Sequence, residues 1–109
     1  MSAHPFALLL KSYSTDFAYA RRLVSSFKRF NPDGLHLYCV VPSIDIREFS
    51  ELEDSNVTVM DESPFEKYFT QQPVQGIRPG YINQEIVKLA FWELGLADNY
   101  FCVDSEAVF

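Results

Sequence analysis

The sequence predicts an α/β domain: a mostly parallel sheet with flanking helices, in a Rossmann-like arrangement. Two observations carry this. Short uninterrupted apolar runs alternate with stretches of helical periodicity, and a polar cluster directly follows each of three apolar runs. Strand, helix, strand, helix, strand, long loop, helix, strand is the order expected of a sheet whose faces are both covered.

The first strand falls over residues 6–10 (FALLL), a continuous apolar run, and the polar cluster KSYSTD, Lys11 to Asp16, follows it. Ser14 and Thr15 are N-cap candidates for the next helix. Phe17, Ala20, Leu23, Val24, Phe27 and Phe30 recur at three- and four-residue spacing, with Asp16 at the start and Lys28 and Arg29 near the end, matching the helix dipole. The stretch NPDG, ending at Gly34, stops this helix.

Residues 35–41 (LHLYCVV) read as the second strand, and PS opens a short amphipathic helix with Ile46, Phe49 and Leu52 on one face. Residues 57–60 (VTVM) form the third strand, ending at Asp61 and Glu62. Residues 63–79, with Pro64, Pro73 and Pro79, read as a long irregular connection, a kind of segment that is usually functional in compact domains. A helix over 82–94 follows, stopped by Gly95 at C′. On it Tyr81, Gln84, Glu85, Lys88 and Trp92 share one side, while Ile82, Ile86, Leu89 and Ala90 form the apolar one. The fourth strand covers 100–103.

Composition narrows the function classes. The 109 residues, nearly half of them hydrophobic, make one modest domain, residues 1–109, with no internal repeat or linker. A net charge of −6 disfavours nucleic acid and anionic membrane as partners. Cys39 and Cys102 sit in apolar runs without metal-ligand spacing and read as buried reduced thiols. The run FALLL is too short for a membrane span or signal segment, so the expected location is cytoplasmic.

In parallel sheets ligands bind beyond the carboxyl ends of the strands. Three polar groups stand there: Lys11 to Asp16, Asp61 with Glu62, and Asp104 with Glu106. In the last, YFCVDSEAVF, an apolar strand ends in Asp-x-Glu, whose side chains share a face while the chain stays extended. Two carboxylates about 4 Å apart repel by roughly 4 kcal/mol at an effective dielectric near 20, so keeping both ionised calls for a cation. Hard oxygen-seeking ions, Mg²⁺ or Mn²⁺, suit such a pair and are typically shared with phosphates. On the preceding helix Lys88 lies off the apolar stripe, either paired with Glu85 or Gln84 at the surface or, if Tyr81 and Trp92 shelter it, serving as an anion ligand. No Walker or Gly-x-Gly-x-x-Gly stretch occurs.

The run GYINQEIVKLAFWELGLADNYFCVDSEAVF, residues 80–109, resembles a segment of GT-A-fold glycosyltransferases in which a helix carrying Lys-Leu, often with a Trp, precedes a strand ending in Asp-x-Asp. The glycogenin-like, retaining branch has a similar helix. A group of bacterial glycosyltransferase-like proteins shares Lys-Ser-Tyr after the first strand and Gln-x-x-Val-Lys-Leu before an aspartate-rich strand end. Here Glu106 stands in place of the last aspartate.

The resemblance implies a nucleotide-sugar donor, commonly a uridine diphosphate sugar, and a divalent ion bridging its phosphates. By position, Lys11, Ser12, Tyr13 and Asp61 would border the nucleoside, Gln84 would line the donor site, and Lys88 would reach the diphosphate as the catalytic cation. Asp104 would serve the ribose and, with Glu106, the metal. The acceptor is not indicated. Family members carry acceptor-binding residues after the aspartate motif, so the chain is expected to be the N-terminal donor-binding half of a larger catalytic domain, with an exposed sheet edge favouring self-association. The alternative is a non-catalytic half-domain that binds nucleotide or only packs against a partner.

Overall fold

The computed structural model describes residues 4–31, 33–72, 75–77 and 79–104. The expected fold class is the observed one. Strands β1 (His4–Lys11), β2 (His36–Val41), β3 (Val57–Asp61) and β4 (Ala97–Val103) form one sheet in the order β3-β2-β1-β4, every pairing parallel. Helix α1 (Phe17–Arg29) and the single turn α2 (Ile46–Phe49) connect the first three strands, and α3 (Pro79–Ala90) carries the chain back to β4.

Strand alternation divides the core in two. Leu8 and Leu10 of β1 pack with Ala20, Leu23, Val24 and Phe27 of α1 and with Phe49 and Leu52. Ala7 and Leu9 point the other way, onto Val87, Phe91 and Phe65. A strand covered on both faces reads as a near-continuous apolar run, and all six residues of β2 are buried, His36 included. No described helix is long and apolar enough to cross a membrane.

Helix α1 buries Ala20, Leu23, Val24 and Phe27 of its predicted stripe, whereas Phe30, just past its end, is exposed, and neither Ser14 nor Thr15 caps it. The buried Asp45, from the turn before α2, instead accepts the Ser14 amide at 3.0 Å. A cap supplied from 31 residues away leaves no local signature. At the other end Asn31 closes the turn, donating to the Leu35 carbonyl (2.9 Å) and accepting its amide (3.0 Å), and Gly34 takes φ +65°.

The connection expected to be irregular contains a six-residue 3-10 helix, Ser63–Tyr68, anchored by the buried Phe65. Asn83 clasps the backbone of Thr70, its side-chain oxygen accepting the Thr70 amide and its nitrogen donating to the Thr70 carbonyl. Pro73 lies outside the described residues, and Pro79 is the first residue of α3. The chain tightens into a 3-10 turn over Phe91–Leu94 and ends at Gly95, whose φ of +65° is the expected left-handed stop.

The buried face of α3 differs from the expected one. Val87 and Phe91 are buried, whereas Leu89 is 74% exposed. The anchor is Phe91, whose ring meets Tyr38 at 5.3 Å and Tyr100 at 5.0 Å. Seating that ring turns Leu89 outward, and Trp92 with it.

Strand β4 starts at Ala97 rather than at residue 100. Asp98 and Asn99 look like loop residues, yet an edge strand tolerates polar side chains that face water. For the same reason Cys102 is exposed, not buried as expected. Cys39 is buried, and desolvation pushes its thiol up to about 12. Both cysteines are free.

Candidate functional site

The strand order reverses at β1: β2 and β3 lie to one side of it and β4 to the other. In a parallel sheet a ligand crevice forms beyond the carboxyl ends of the strands at such a reversal, which here falls between β1 and β4. The last paired level between these strands is Leu10 with Val103, so Lys11 and Asp104 stand one step beyond it, at the mouth.

The α3 side of this mouth carries an array of charges. Lys88 Nζ lies 3.7 Å from Asp104 Oδ1 and 3.4 Å from Glu85 Oε1. Its side chain is 19% exposed, that of Asp104 85%. Tyr100 steadies the lysine by donating from its hydroxyl to the Lys88 carbonyl at 2.5 Å, which ties α3 to β4 at this residue. Burial raises the Tyr100 pKa, so the hydroxyl keeps its proton at neutral pH. Cys102 feels the same cluster: burial raises its pKa first, Lys88 lowers it, and Glu85 and Asp104 raise it further.

Lys11 is held differently. Its ammonium, on a side chain 5% exposed, lies 3.1 Å from Glu62 Oε1 and donates to the Ser12 carbonyl at 3.1 Å. Lys11 continues the alternation of Ala7 and Leu9, and Glu62 that of Met60, so the pair lies on the α3 side. The buried Ser12 donates its amide to Val40 at 3.0 Å. Tyr13 is half-buried and extended, its carbonyl accepting the Asp16 amide.

Asp61 turns to the opposite face. Ser43 Oγ donates to both its carboxylate oxygens, at 2.7 and 2.8 Å, and the Ser63 amide donates at 2.8 Å. These bonds, that from Ser43 foremost, hold its pKa below the ordinary aspartate value. Gln84 is half-buried, one turn before Lys88 on α3. Glu106 lies outside the described residues, as does the side chain of Tyr81.

The structure thus brings Lys88 and Asp104 together from separate elements and sets Lys11 on the same side, but separates Asp61 from them. Sequence reasoning placed Glu62 with Asp61 at a strand end but gave it no role, and it passed over Tyr100 and Asn83 as positioning residues. Glu62 carried a signal, an acid one residue past a strand end in phase with the face of Lys11. Nothing local marked the other two.

Among the described residues no group of three or more His, Cys, Asp or Glu side chains could hold a metal ion. Asp104 does offer an exposed carboxylate of the type that Mg²⁺ and Mn²⁺ accept, and its present partner is itself a cation. An ion bound there would draw its other oxygen ligands from a phosphate, from water or from residues beyond the described set.

A concavity of about 330 Å³ lies on the outer side of α3 between Tyr68, Ile86, Leu89, Ala90, Trp92 and Glu93. It is open and largely apolar, and it contains none of the predicted site residues. Comparison with family models, curated proteins and solved structures finds no match to this chain.

Proposed function

We propose that the carboxyl edge of the sheet binds the diphosphate of a nucleotide sugar together with Mg²⁺ or Mn²⁺, as the donor-binding half of a GT-A-type glycosyltransferase. The observation that carries this is the meeting of Lys88 and Asp104 at the mouth of the β1–β4 crevice. An ammonium and a carboxylate that pair with each other at a strand-order reversal can re-pair with the two halves of a metal diphosphate. Lys88 then donates to phosphate oxygens and offsets charge gathering on the leaving diphosphate, while Asp104 faces the ion. The ion, when bound, acts as a Lewis acid on that leaving group.

The resemblance of residues 80–109 adds the donor class, a uridine diphosphate sugar. It does not indicate the acceptor. Tyr100 keeps Lys88 in place by fixing its backbone, so the lysine can exchange partners without moving α3. The proposed location is the cytoplasm, where free thiols such as those of Cys39 and Cys102 persist.

A packing half-domain without ligand chemistry is the second reading. It is favoured by the exposed Leu89, Trp92 and Phe101 and by the fact that Lys11 and Lys88 already have carboxylate partners within the protein. Calorimetric titration with uridine diphosphate, with and without Mn²⁺, separates the two. The nucleotide reading expects saturable binding that Mn²⁺ strengthens, because ion and diphosphate supply ligands to each other. Absence of heat under both conditions would leave the packing reading.

A further inference from the structure

Strands β1 and β3 are both neighbours of β2, on opposite sides, so their backbones lie about 10 Å apart. Lys11 ends β1 and Glu62 follows β3, yet their charged atoms meet at 3.1 Å. The pair must therefore span the carboxyl end of β2. It lies on the α3 side, the side of Lys88 and Asp104.

The end of β2 is where a dinucleotide-binding sheet places the carboxylate that accepts the ribose hydroxyls. In this chain β2 ends at Val41, neither Pro42 nor Ser43 after it is an acid, and Asp45 in the turn beyond is taken by the Ser14 amide. Glu62 brings one to that place from the next strand. Lys11 takes Oε1, and among the described residues no donor reaches Oε2. The Glu62 side chain is 17% exposed, so part of it remains accessible.

We propose that Glu62, held by Lys11, accepts hydrogen bonds from the ribose hydroxyls of the bound nucleotide and selects ribonucleoside over deoxyribonucleoside diphosphates. This rests on the nucleotide reading above and deepens it. An ionised carboxylate is an acceptor only, which suits a diol and not a phosphate. An unpaired glutamate would repel the nearby diphosphate. Lys11 cancels that charge while leaving the acceptor in place. The nucleotide then lies across the sheet, ribose over β2 and β1, diphosphate toward β4 and Lys88.

The test is calorimetry with uridine diphosphate and its 2′,3′-dideoxy analogue, each with Mn²⁺. It is run on the parent, on Glu62→Gln and on the double variant Lys11→Met/Glu62→Met, which replaces the pair by apolar side chains of similar length. The parent should prefer the ribonucleotide by about tenfold or more, the range for hydrogen bonds to a charged group. Glu62→Gln should reduce that preference and the double variant should abolish it; the preference is the ratio of the two affinities within each protein, so a change in attraction for the diphosphate common to both ligands cancels. If the parent binds uridine diphosphate but does not distinguish the two ligands, the role of Glu62 is refuted and the nucleotide site stands. That comparison needs no variant to fold. A preference that survives in the double variant refutes it equally. If the parent binds neither ligand, the nucleotide reading fails and this inference with it.

Discussion

Two ion pairs stand at one edge of the same sheet, and they are built to different ends. Lys11 and Glu62 meet at 3.1 Å with side chains 5% and 17% exposed, spanning a central strand. Lys88 of α3 and Asp104, one residue past the edge strand, meet at 3.7 Å, with the lysine 19% exposed and the carboxylate almost wholly in water. A buried pair resists separation because each ion would be left without water or partner. An exposed pair gains little and exchanges partners readily. The first is suited to hold a shape and the second to give way to a ligand, and position in the sheet decides which is which.

Breaking the buried pair should have the largest effect. Lys11→Met leaves Glu62 with no counter-charge and should cost about 3 kcal/mol in denaturant unfolding at neutral pH. Adding Glu62→Met should return stability to within about 1 kcal/mol of the parent, since removing both ions also removes their desolvation cost. A single variant as stable as the parent would erase the distinction between the pairs.

Lys88→Met should do the reverse. Unfolding should change by less than about 1 kcal/mol, while affinity for uridine diphosphate with Mn²⁺ should fall by about 1.5 to 3 kcal/mol in calorimetry. Undiminished affinity would return Lys88 to a surface role paired with Glu85.

The smallest effect belongs to Asp61, on the other face. Its folded pKa is depressed by Ser43 and Ser63, so its contribution is present above the unfolded value and is lost as pH falls through the folded one. Asp61→Asn should cost under about 1 kcal/mol at neutral pH, and the gap between parent and variant should close in acid. A gap that widens in acid would contradict the hydrogen-bond account of this carboxylate.

The same contrast between centre and edge governs how much could be read from the sequence. β1 and β2 were legible because both faces are covered along residues 7–10 and 37–41, where every residue is hydrophobic. The start of β4 was not, because at an edge Asp98 and Asn99 can face water and still belong to a strand. The face of α3 was decided by the seat found for the Phe91 ring between Tyr38 and Tyr100, two strands that the sequence does not order in space. The rule that ligands gather at strand ends picked out Asp104 from its place in the chain, and helical periodicity set Lys88 off the apolar stripe of α3. Neither could pair Lys11 with Glu62, because that contact depends on β1 and β3 flanking the same strand.

The central claim is that the nucleotide binds at the β1–β4 crevice and not elsewhere on the molecule. Backbone amide NMR during titration with uridine diphosphate and Mg²⁺ tests it most directly. The account predicts saturable shifts at Lys11, Ser12, Glu62, Lys88 and Asp104, with the amides of Tyr68, Leu89 and Trp92 around the apolar concavity unmoved. Shifts confined to that concavity, or no shifts at concentrations that saturate ordinary nucleotide sites, would contradict it.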